Sequence, residues 1–476
     1  MKGRTDKCDR LTQEQPTTKP TGRVRHSSPL AEKESRSGEL EHLHGVLLEH
    51  ILHPDNLTQA WQQVRGNKGV AGIDGVSISD FPEFYRQHGA SIRQKLEAGT
   101  YVPSPVKRVE IPKSDGGRRP LGIPTVLDRV IQQAIAQQLS PQYEPQFSMR
   151  SYGFRPGRSA HGAIQAVLSD SKIMRSKWVV DCDLKSFFDT VNHDVMMNRL
   201  SRKISDSRVL SLIRNYLQAG IMHADGRLEA STEGMPQGGP LSPLLSNILL
   251  DDLDKELEKR RHKFARYADD FVILCRSPRA GKRIMDSITR FIEGRLKLVV
   301  NRAKSAVRPL AEATFLGFAI VRGRIVWSEK AQRNFKHKVR MITKRTRGVS
   351  PSTVTNDLST YVRGAVNYYA IGMPFGVTRE LDGWVRQRVR LYYWKQWGRP
   401  KTRRRNLLKL GVPKGKVHMA SRSRKGHWRI SNTTIVRTAL HNEWLEAQGV
   451  PNLVNIWKTI RYSEQTETLL ERNSKL

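Results

Sequence analysis

The chain has 476 residues, enough for two or three domains and a substantial hydrophobic core. Its 82 Lys and Arg residues against 45 Asp and Glu residues give a formal net charge of +37, which predicts a polyanionic partner and favours nucleic acid over an anionic membrane surface. No stretch approaches the ~20 consecutive apolar residues of a membrane span, and three scattered cysteines exclude a disulfide framework and a Cys-x-x-Cys zinc site.

The N-terminal region is polar and basic. Residues 1–38 predict a disordered arm, which is either inert or in non-specific contact with RNA or DNA. Because this region holds no apolar run typical of a signal peptide, we expect a cytoplasmic protein. A helical pattern begins at Glu39, and the Gly-rich segment 67–75 predicts a loop.

Helical and strand-like patterns alternate between residues 123 and 320. The predicted helices cover residues 126–139, 160–169, 209–217, 241–258 and 282–295. The β-branched or aromatic runs that predict strands are 178–180, 271–274 and 315–318. This alternation predicts an α/β or α+β fold.

Two acidic segments adjoin predicted strands. Asp181 and Asp183 follow the apolar run 178–180, and strand alternation places both on one face. Asp269 and Asp270 lie between apolar segments and predict the tip of a β-hairpin. Because buried carboxylates need a cation, such a set suits two Mg²⁺ ions about 3.5–4 Å apart, the arrangement that nucleotidyl transfer uses.

Seven blocks occur in an order typical of one protein family. The most specific are Tyr-Ala-Asp-Asp at 267–270 and Asp-Leu-Lys-Ser-Phe-Phe-Asp at 183–189. The other blocks lie at 111–124, 151–159, 235–243, Lys304 and 315–318. From about Leu57 onward the chain resembles the bacterial group II intron-encoded reverse transcriptase/maturases. The resemblance implies a right-hand polymerase, mixed α+β, with fingers and palm at 39–320.

The same resemblance implies a metal-binding triad of Asp183, Asp269 and Asp270. The backbone carbonyl of Leu184 is an additional candidate ligand for the two Mg²⁺ ions. Asp181 is left out of this set, as is Asp189, because a salt-bridge or turn role is the better explanation for each.

Nucleotide-binding residues follow from the resemblance as well. Lys113 and Arg119 resemble the finger residues that hold the triphosphate of a dNTP, and their charges suit phosphate. Gln237 and Gly238 would approach the nucleotide and the template, because glycine permits close backbone approach. Phe188 would exclude a ribose 2′-hydroxyl, and its alternative role is core packing.

The C-terminal third carries most of the charge. Residues 321–476 contain 33 Lys and Arg and 9 Asp and Glu, with eight Trp or Tyr residues between 384 and 457 suited either to base stacking or to a helical core. Residues 321–397 resemble the thumb or maturase domain, and 398–476 resemble the DNA-binding domain of class C members. A generic basic helical bundle is the alternative.

The sequence thus predicts an RNA-directed DNA polymerase that copies an RNA template from a DNA primer. The resemblance implies intron RNA and target DNA as further partners. It also implies that the protein helps its intron RNA to splice and takes part in retrohoming. Its expected location is the bacterial cytoplasm, near the nucleoid when it is bound to DNA. The alternatives are a splicing-only maturase, a reverse transcriptase of phage defence, a basic nucleic-acid binder and a viral RNA polymerase. Phe188 and Ala268 argue against the viral RNA polymerase, because both residues favour DNA synthesis. The late histidines lack the spacing of an endonuclease site, so no second-strand cleavage is expected. The oligomeric state is not predicted.

Overall fold

The computed structural model describes residues 46–112 and 117–473. The predicted N-terminal arm lies outside these residues. Within the described residues the strands are β1 Val106–Pro112, β2 Arg118–Ile123, β3 Trp178–Asp183, β4 Ile221–Met222, β5 Leu228–Glu229, β6 Phe264–Tyr267, β7 Asp270–Cys275, β8 Ala306–Pro309, β9 Phe318–Val321 and β10 Arg324–Trp327.

Helices surround these strands and form nearly all of the C-terminal part. The α-helices up to β8 are α1 Leu47–Ile51, α2 Pro54–Gly66, α3 Phe81–Glu97, α4 Val126–Tyr143, α5 Ala160–Met174, α6 His193–Leu200, α7 Ser207–Gln218, α8 Ser242–Lys259 and α9 Pro278–Phe291. Those after β10 are α10 Glu329–Ile342, α11 Pro351–Tyr369, α12 Phe375–Gln396, α13 Pro400–Lys409, α14 Lys414–Ser421, α15 His427–Ser431, α16 Thr434–Ala439, α17 Asn442–Ala447 and α18 Leu453–Asn473. The predicted helices and the loop at 67–75 are confirmed.

A four-stranded sheet in the order β6-β7-β3-β8 lies at the centre of the chain. Its strands pair antiparallel, and each face is covered. Val179, Val272 and Leu274 point to the face that packs against α5 and β9, whereas Val180 and Ile273 join the larger core on the other face. Because alternate side chains share a face, Asp181 and Asp183 lie on the side of Val179.

A second four-stranded sheet has the order β2-β1-β4-β5. The largest hydrophobic core runs from α1 and α2 through α4 and α8 to the central sheet. Helix α4 has buried residues on all of its faces, and its apolar residues are correspondingly not confined to one stripe. The hairpin β1–β2 extends away from this core with Ile111 and Val109 exposed.

The run 315–318 is not a strand, so this prediction was wrong. Phe315 and Phe318 exchange two backbone hydrogen bonds of 2.9 Å across a tight turn. Leu316 and Gly317 have φ of +53° and +79°, the left-handed conformation that such two-residue turns require. Because Leu316 at the first turn position is apolar, the hydrophobic pattern of the sequence continues through the turn and resembles that of a strand. Strand β9 begins only at Phe318.

The helices after β10 share one hydrophobic core. Leu358, Val385 and Trp394 of α11 and α12 pack in one cluster with Leu407 and Leu453, which lie beyond residue 398. The expected domains 321–397 and 398–476 are therefore in direct contact through apolar side chains. Among the described residues, no helix combines the length and apolar character needed to cross a membrane.

Candidate active site

The central sheet brings the two acidic segments together. Strands β3 and β7 pair so that Asp183 lies directly opposite Asp270. Strand β6 pairs with β7 from Tyr267 opposite Asp270, which leaves Ala268 and Asp269 as a two-residue turn. The hairpin predicted from the sequence is confirmed. Directly opposite residues share a face, so the carboxylates of Asp183 and Asp270 lie on the same side of the sheet.

Asp183 is held by the segment that follows α9. Asn301 donates from Nδ2 to Asp183 Oδ2 at 2.9 Å, and its backbone N–H donates to the Asp183 carbonyl at 2.8 Å. The Asp183 N–H in turn donates to Ser305 Oγ at 3.0 Å. The sequence analysis missed Asn301 and Ser305. Their signal was a polar cluster directly after the apolar residues 298–300, near Lys304 of the recognised block.

The acidic side chains form a region of strong negative potential. Burial raises the pKa of Asp270 to about 7, and the charges of Asp181, Asp269 and Asp183 add to the effect. Burial also raises the pKa of Asp181, although Arg308 Nε lies 3.7 Å from its Oδ2. These carboxylates repel one another in a partly buried site, so a cation bound between them would be strongly favoured.

The arrangement suits Mg²⁺ rather than a closed metal cage. Within the described part of the chain, no three His, Cys, Asp or Glu side chains already converge as a metal centre. Mg²⁺ is usually held by one or two carboxylates together with substrate phosphates and water, so a preformed cage is not required. The backbone hydrogen bonds beside Leu184 run from Lys185 to Val299 and from Asn301 to Asp183, which leaves the Leu184 carbonyl out of both.

A cavity of about 360 Å³ lies between the second sheet and the segment after β3. Phe188 and Gln237 both line it, so the structure brings these two candidate residues together. Phe188 is also 9% exposed and packs edge-on against Phe187 at 5.2 Å between ring centroids. The ring therefore belongs both to the core and to a cavity wall. The Phe188 carbonyl accepts from the Met235 N–H at 2.7 Å, which ties the loop at 235–240 to this wall.

Gly238 packs tightly against the end of β2. The Gly122 N–H donates to the Gln237 carbonyl at 2.8 Å. A Cβ atom at Gly238 would lie 2.6 Å from the Gly122 carbonyl oxygen, and its φ of +122° is one that only glycine adopts without strain. Gly238 therefore lies close to the backbone of β2, and its predicted approach to the nucleotide and template stays a prediction.

Of the two expected triphosphate ligands, Arg119 lies within the described residues, on β2. Lys113 lies outside the described residues. Arg119 occupies β2 opposite Ile111 of β1, and only its backbone is described. The role of both residues as phosphate ligands stays a prediction.

The C-terminal surface combines exposed charge with mostly buried rings. Helix α10 packs its apolar face inward through Phe335 and Val339. Its exposed basic residues are Lys330, Arg333, His337, Lys338 and Arg340. Trp394 is buried, whereas Trp428 is 43% exposed beside the basic segment 422–425. Most of the aromatic residues therefore pack in the core, and Trp428 is available for stacking.

Two family models match the chain. The model described as reverse transcriptase (RNA-dependent DNA polymerase) matches residues 111–320, which contain every carboxylate described above. The model described as group II intron, maturase-specific domain matches residues 332–411, from α10 to the end of α13.

Several known proteins are similar to this chain. Protein YkfC of Escherichia coli (strain K12) is 36% identical over 324 residues, which cover 60% of this chain and 84% of YkfC. Group II intron-encoded protein LtrA of Lactococcus lactis subsp. cremoris is 35% identical over 221 residues, which cover 46% of this chain and 36% of LtrA. A chain in a solved structure entitled "Partial Cas6-RT-Cas1--Cas2 complex" is 27% identical, with 52% of this chain and 42% of that chain covered and a TM-score of 0.35.

Proposed function

Because this chain belongs to the group II intron reverse transcriptase/maturase family and is an RNA-directed DNA polymerase, we propose that Asp183, Asp269 and Asp270 are its catalytic carboxylates. The observation that carries the proposal is the register of β3 and β7, which sets Asp183 opposite Asp270 at the end of a buried sheet. Right-hand polymerases use divalent metal ions, and the two Mg²⁺ ions proposed here would be held by these three carboxylates and the Leu184 carbonyl.

The roles of the protein groups follow from where they lie. Bound Mg²⁺ would lower the pKa of the primer 3′-hydroxyl and neutralise charge on the departing pyrophosphate. Asn301 keeps the Asp183 carboxylate in one orientation through the 2.9 Å hydrogen bond to Oδ2. The buried strands β3 and β7 keep the acids in register, so they need not reorganise during the reaction.

Substrate selection is assigned to the cavity wall and to the β1–β2 hairpin. The Phe188 ring would occupy the space that a 2′-hydroxyl needs, which selects dNTPs over rNTPs. Lys113 and Arg119 would hold the triphosphate, and Gln237 with Gly238 would lie against the nucleotide and template. The shared cavity of Phe188 and Gln237 supports this division of roles.

Beyond polymerisation, we assign the basic C-terminal part to nucleic acid. The maturase-domain match supports binding of an intron RNA and help in its splicing, and it favours this role over phage defence. Retrohoming would add a target DNA, contacted by residues 398–476. With these partners, the proposed location is a bacterial cytoplasm, at the nucleoid when the protein is bound to DNA.

Replacement of single carboxylates tests the assignment. Asp269→Asn and Asp270→Asn each remove a charged ligand, so we expect oligo(dT)-primed extension on poly(rA) with dTTP and Mg²⁺ to fall to background. RNA binding, which depends on the basic surface, should stay within about twofold. Asp194→Asn is the matched control, because Asp194 is an exposed acid paired with Arg214 on the same polymerase body. Extension by either variant at the rate of the control would contradict the proposal.

A further inference from the structure

A buried guanidinium lies directly behind the acidic turn. Arg266 is 0% exposed and lies two positions before Ala268, the first residue of the turn. It forms a bidentate ion pair with Asp254 of α8, also 0% exposed, through Nε to Oδ1 at 2.8 Å and Nη2 to Oδ2 at 2.5 Å. Nothing in the catalytic proposal uses either residue.

The remaining donors of Arg266 join three separate segments. Nη1 donates to the Ala268 carbonyl at 2.9 Å and to Asn247 Oδ1 at 3.0 Å, and Nη2 donates to Ser151 Oγ at 2.8 Å. An arginine side chain has five N–H groups, and this network uses all five. The guanidinium therefore connects α8, the loop after α4 and the turn that carries Asp269.

The bond to Ala268 has a specific structural reason. Ala268 has a φ of +57°, a left-handed conformation that an L residue keeps only when its surroundings impose it. A second contact acts on the same turn, because a Cβ atom at Gly153 would lie 2.3 Å from the Ala268 nitrogen. Asn247 Nδ2 holds the Gly153 carbonyl at 2.9 Å. The backbone of Ala268 is thus held at its carbonyl by Arg266 and at its nitrogen by the close packing of Gly153.

Stability alone does not account for this pair. Well-packed apolar residues of similar volume usually stabilise a core at least as well as a buried ion pair. Apolar residues would, however, leave the buried Ala268 carbonyl without its donor. The fork of arginine supplies that donor in a direction fixed by Asp254.

We propose that Arg266, oriented by Asp254, is a positioning residue that fixes the Ala268 carbonyl and thereby the place of Asp269 relative to Asp183. This inference rests on the catalytic assignment above. It predicts that disturbing the guanidinium alters the chemical step and its Mg²⁺ dependence, while binding of template and nucleotide persists.

The test compares Arg266→Lys with Arg386→Lys. Lysine keeps the charge beside Asp254 but has no planar fork for the other acceptors. Arg386 is a matched control, because it is 2% exposed and paired with Asp382 and Glu446 in the core of the C-terminal helices. We expect a similar fall in melting temperature for both variants.

Steady-state extension on poly(rA)/oligo(dT) separates positioning from folding. For Arg266→Lys, kcat should fall about tenfold or more, the Mg²⁺ concentration for half-maximal rate should rise, and the KM for dTTP should change less than about threefold. Arg386→Lys should keep kcat and Mg²⁺ dependence within about twofold. The double variant Arg266→Met/Asp254→Leu leaves no unpaired buried charge, so it should melt above the single variant Arg266→Met and still show the kcat loss.

Two results would overturn the positioning role: a wild-type kcat and Mg²⁺ dependence in Arg266→Lys, or equal losses of kcat in Arg266→Lys and Arg386→Lys. Asp269→Asn, measured alongside, keeps the two hypotheses apart. If Asp269→Asn is inactive and Arg266→Lys is normal, only the positioning role is wrong. If Asp269→Asn is active, the catalytic assignment itself is wrong.

Discussion

Ala268 carries the backbone strain of the acidic turn. A left-handed conformation costs an L residue roughly 1–2 kcal/mol, and glycine at this position would avoid that cost. The alanine is tolerated because the Arg266 guanidinium and the backbone at Gly153 over-determine the turn. Glycine there would be less strained and also less constrained, so the methyl group contributes to a rigid position for Asp269.

Burial of Asp270, together with the acids around it, makes the stability of the metal-free protein sensitive to pH. The pKa of Asp270 is raised to about 7 from an ordinary value near 3.8, so the folded state binds this proton more tightly than the unfolded state does. Stability of the metal-free protein therefore falls as pH rises from about 4 to about 7. Asp270→Asn should raise the melting temperature in EDTA by several degrees at pH 8 and by less at pH 5.

A control acid should behave in the opposite way. Asp225 is exposed, and a hydrogen bond from the Arg227 N–H lowers its pKa. Asp225→Asn should therefore leave the melting temperature at pH 8 unchanged or slightly lower. If Asp270→Asn melts at or below the temperature of the wild type in EDTA at pH 8, the ionised Asp270 carboxylate does not destabilise the folded state.

Phe188 has two structural roles that mutation can separate. Phe188→Val should lower the ratio of dNTP to rNTP incorporation by about tenfold or more, since it opens the cavity wall beside the sugar. It should also destabilise the core by about 1–3 kcal/mol, because the ring is buried. Phe187→Val is the matched control: it removes a neighbouring buried ring that does not line the cavity.

The control should lose stability without a change in sugar selection. Competition between dTTP and UTP on poly(rA) measures the ratio, and thermal melting measures stability. If both variants shift the ratio equally, Phe188 acts only as a core residue.

At the scale of elements, the sequence predicted those features that depend on local patterns. The alternation of side chains along a strand predicted that Asp181 and Asp183 share one face of β3. The two apolar runs around Asp269 predicted the hairpin β6–β7. The turn at 315–318 was missed because its left-handed positions hold Leu316 and Gly317 between two aromatic residues. Asn301 and Arg266 were missed because their partners are 118 and 12 residues away, and one sequence does not identify which residues meet across such distances.

The junction between β2 and the loop at 235–240 gives an element-scale prediction. Gly238→Ala would place a methyl group 2.6 Å from the Gly122 carbonyl and separate the loop from the strand. The KM for dTTP should rise about tenfold, with a smaller effect on kcat. Gly226→Ala is the control, because Gly226 also has a positive φ, +82°, but no atom within 4 Å of the added Cβ. Equal KM values for the two variants would mean that the junction does not shape the nucleotide site.

At the scale of the whole molecule, the polymerase body is followed by a basic helical part, and the helices of that part share one hydrophobic core. Trp394 and Leu453, 59 residues apart in sequence, belong to the same apolar cluster. Deletion of everything after Gly398 would therefore expose a face of α12 and remove 11 of the 27 buried residues of that core. We expect the truncated chain to melt well below the full chain and to aggregate, measured by thermal melting and by gel filtration. A truncated chain with wild-type stability would show that the shared core contributes little.

Because truncation disturbs the core, surface charge is the better probe of the C-terminal part. Arg422, Arg424 and Lys425 are exposed beside the exposed ring of Trp428, a combination suited to backbone neutralisation and base stacking. Replacing all three by Ala should weaken binding to a DNA duplex while leaving melting temperature and poly(rA) extension near wild type.

The salt dependence of binding provides the quantitative measurement. Each lost phosphate contact lowers the slope of log K against log salt by about 0.9, so the triple variant should show a slope smaller by about 2 to 3. The control replaces Arg279, Lys282 and Arg283, three exposed basic residues on α9, and changes net charge by the same amount. If the two triple variants lose DNA affinity and slope equally, binding responds to total charge. A loss confined to the 422–425 variant would locate the DNA contact in the C-terminal part.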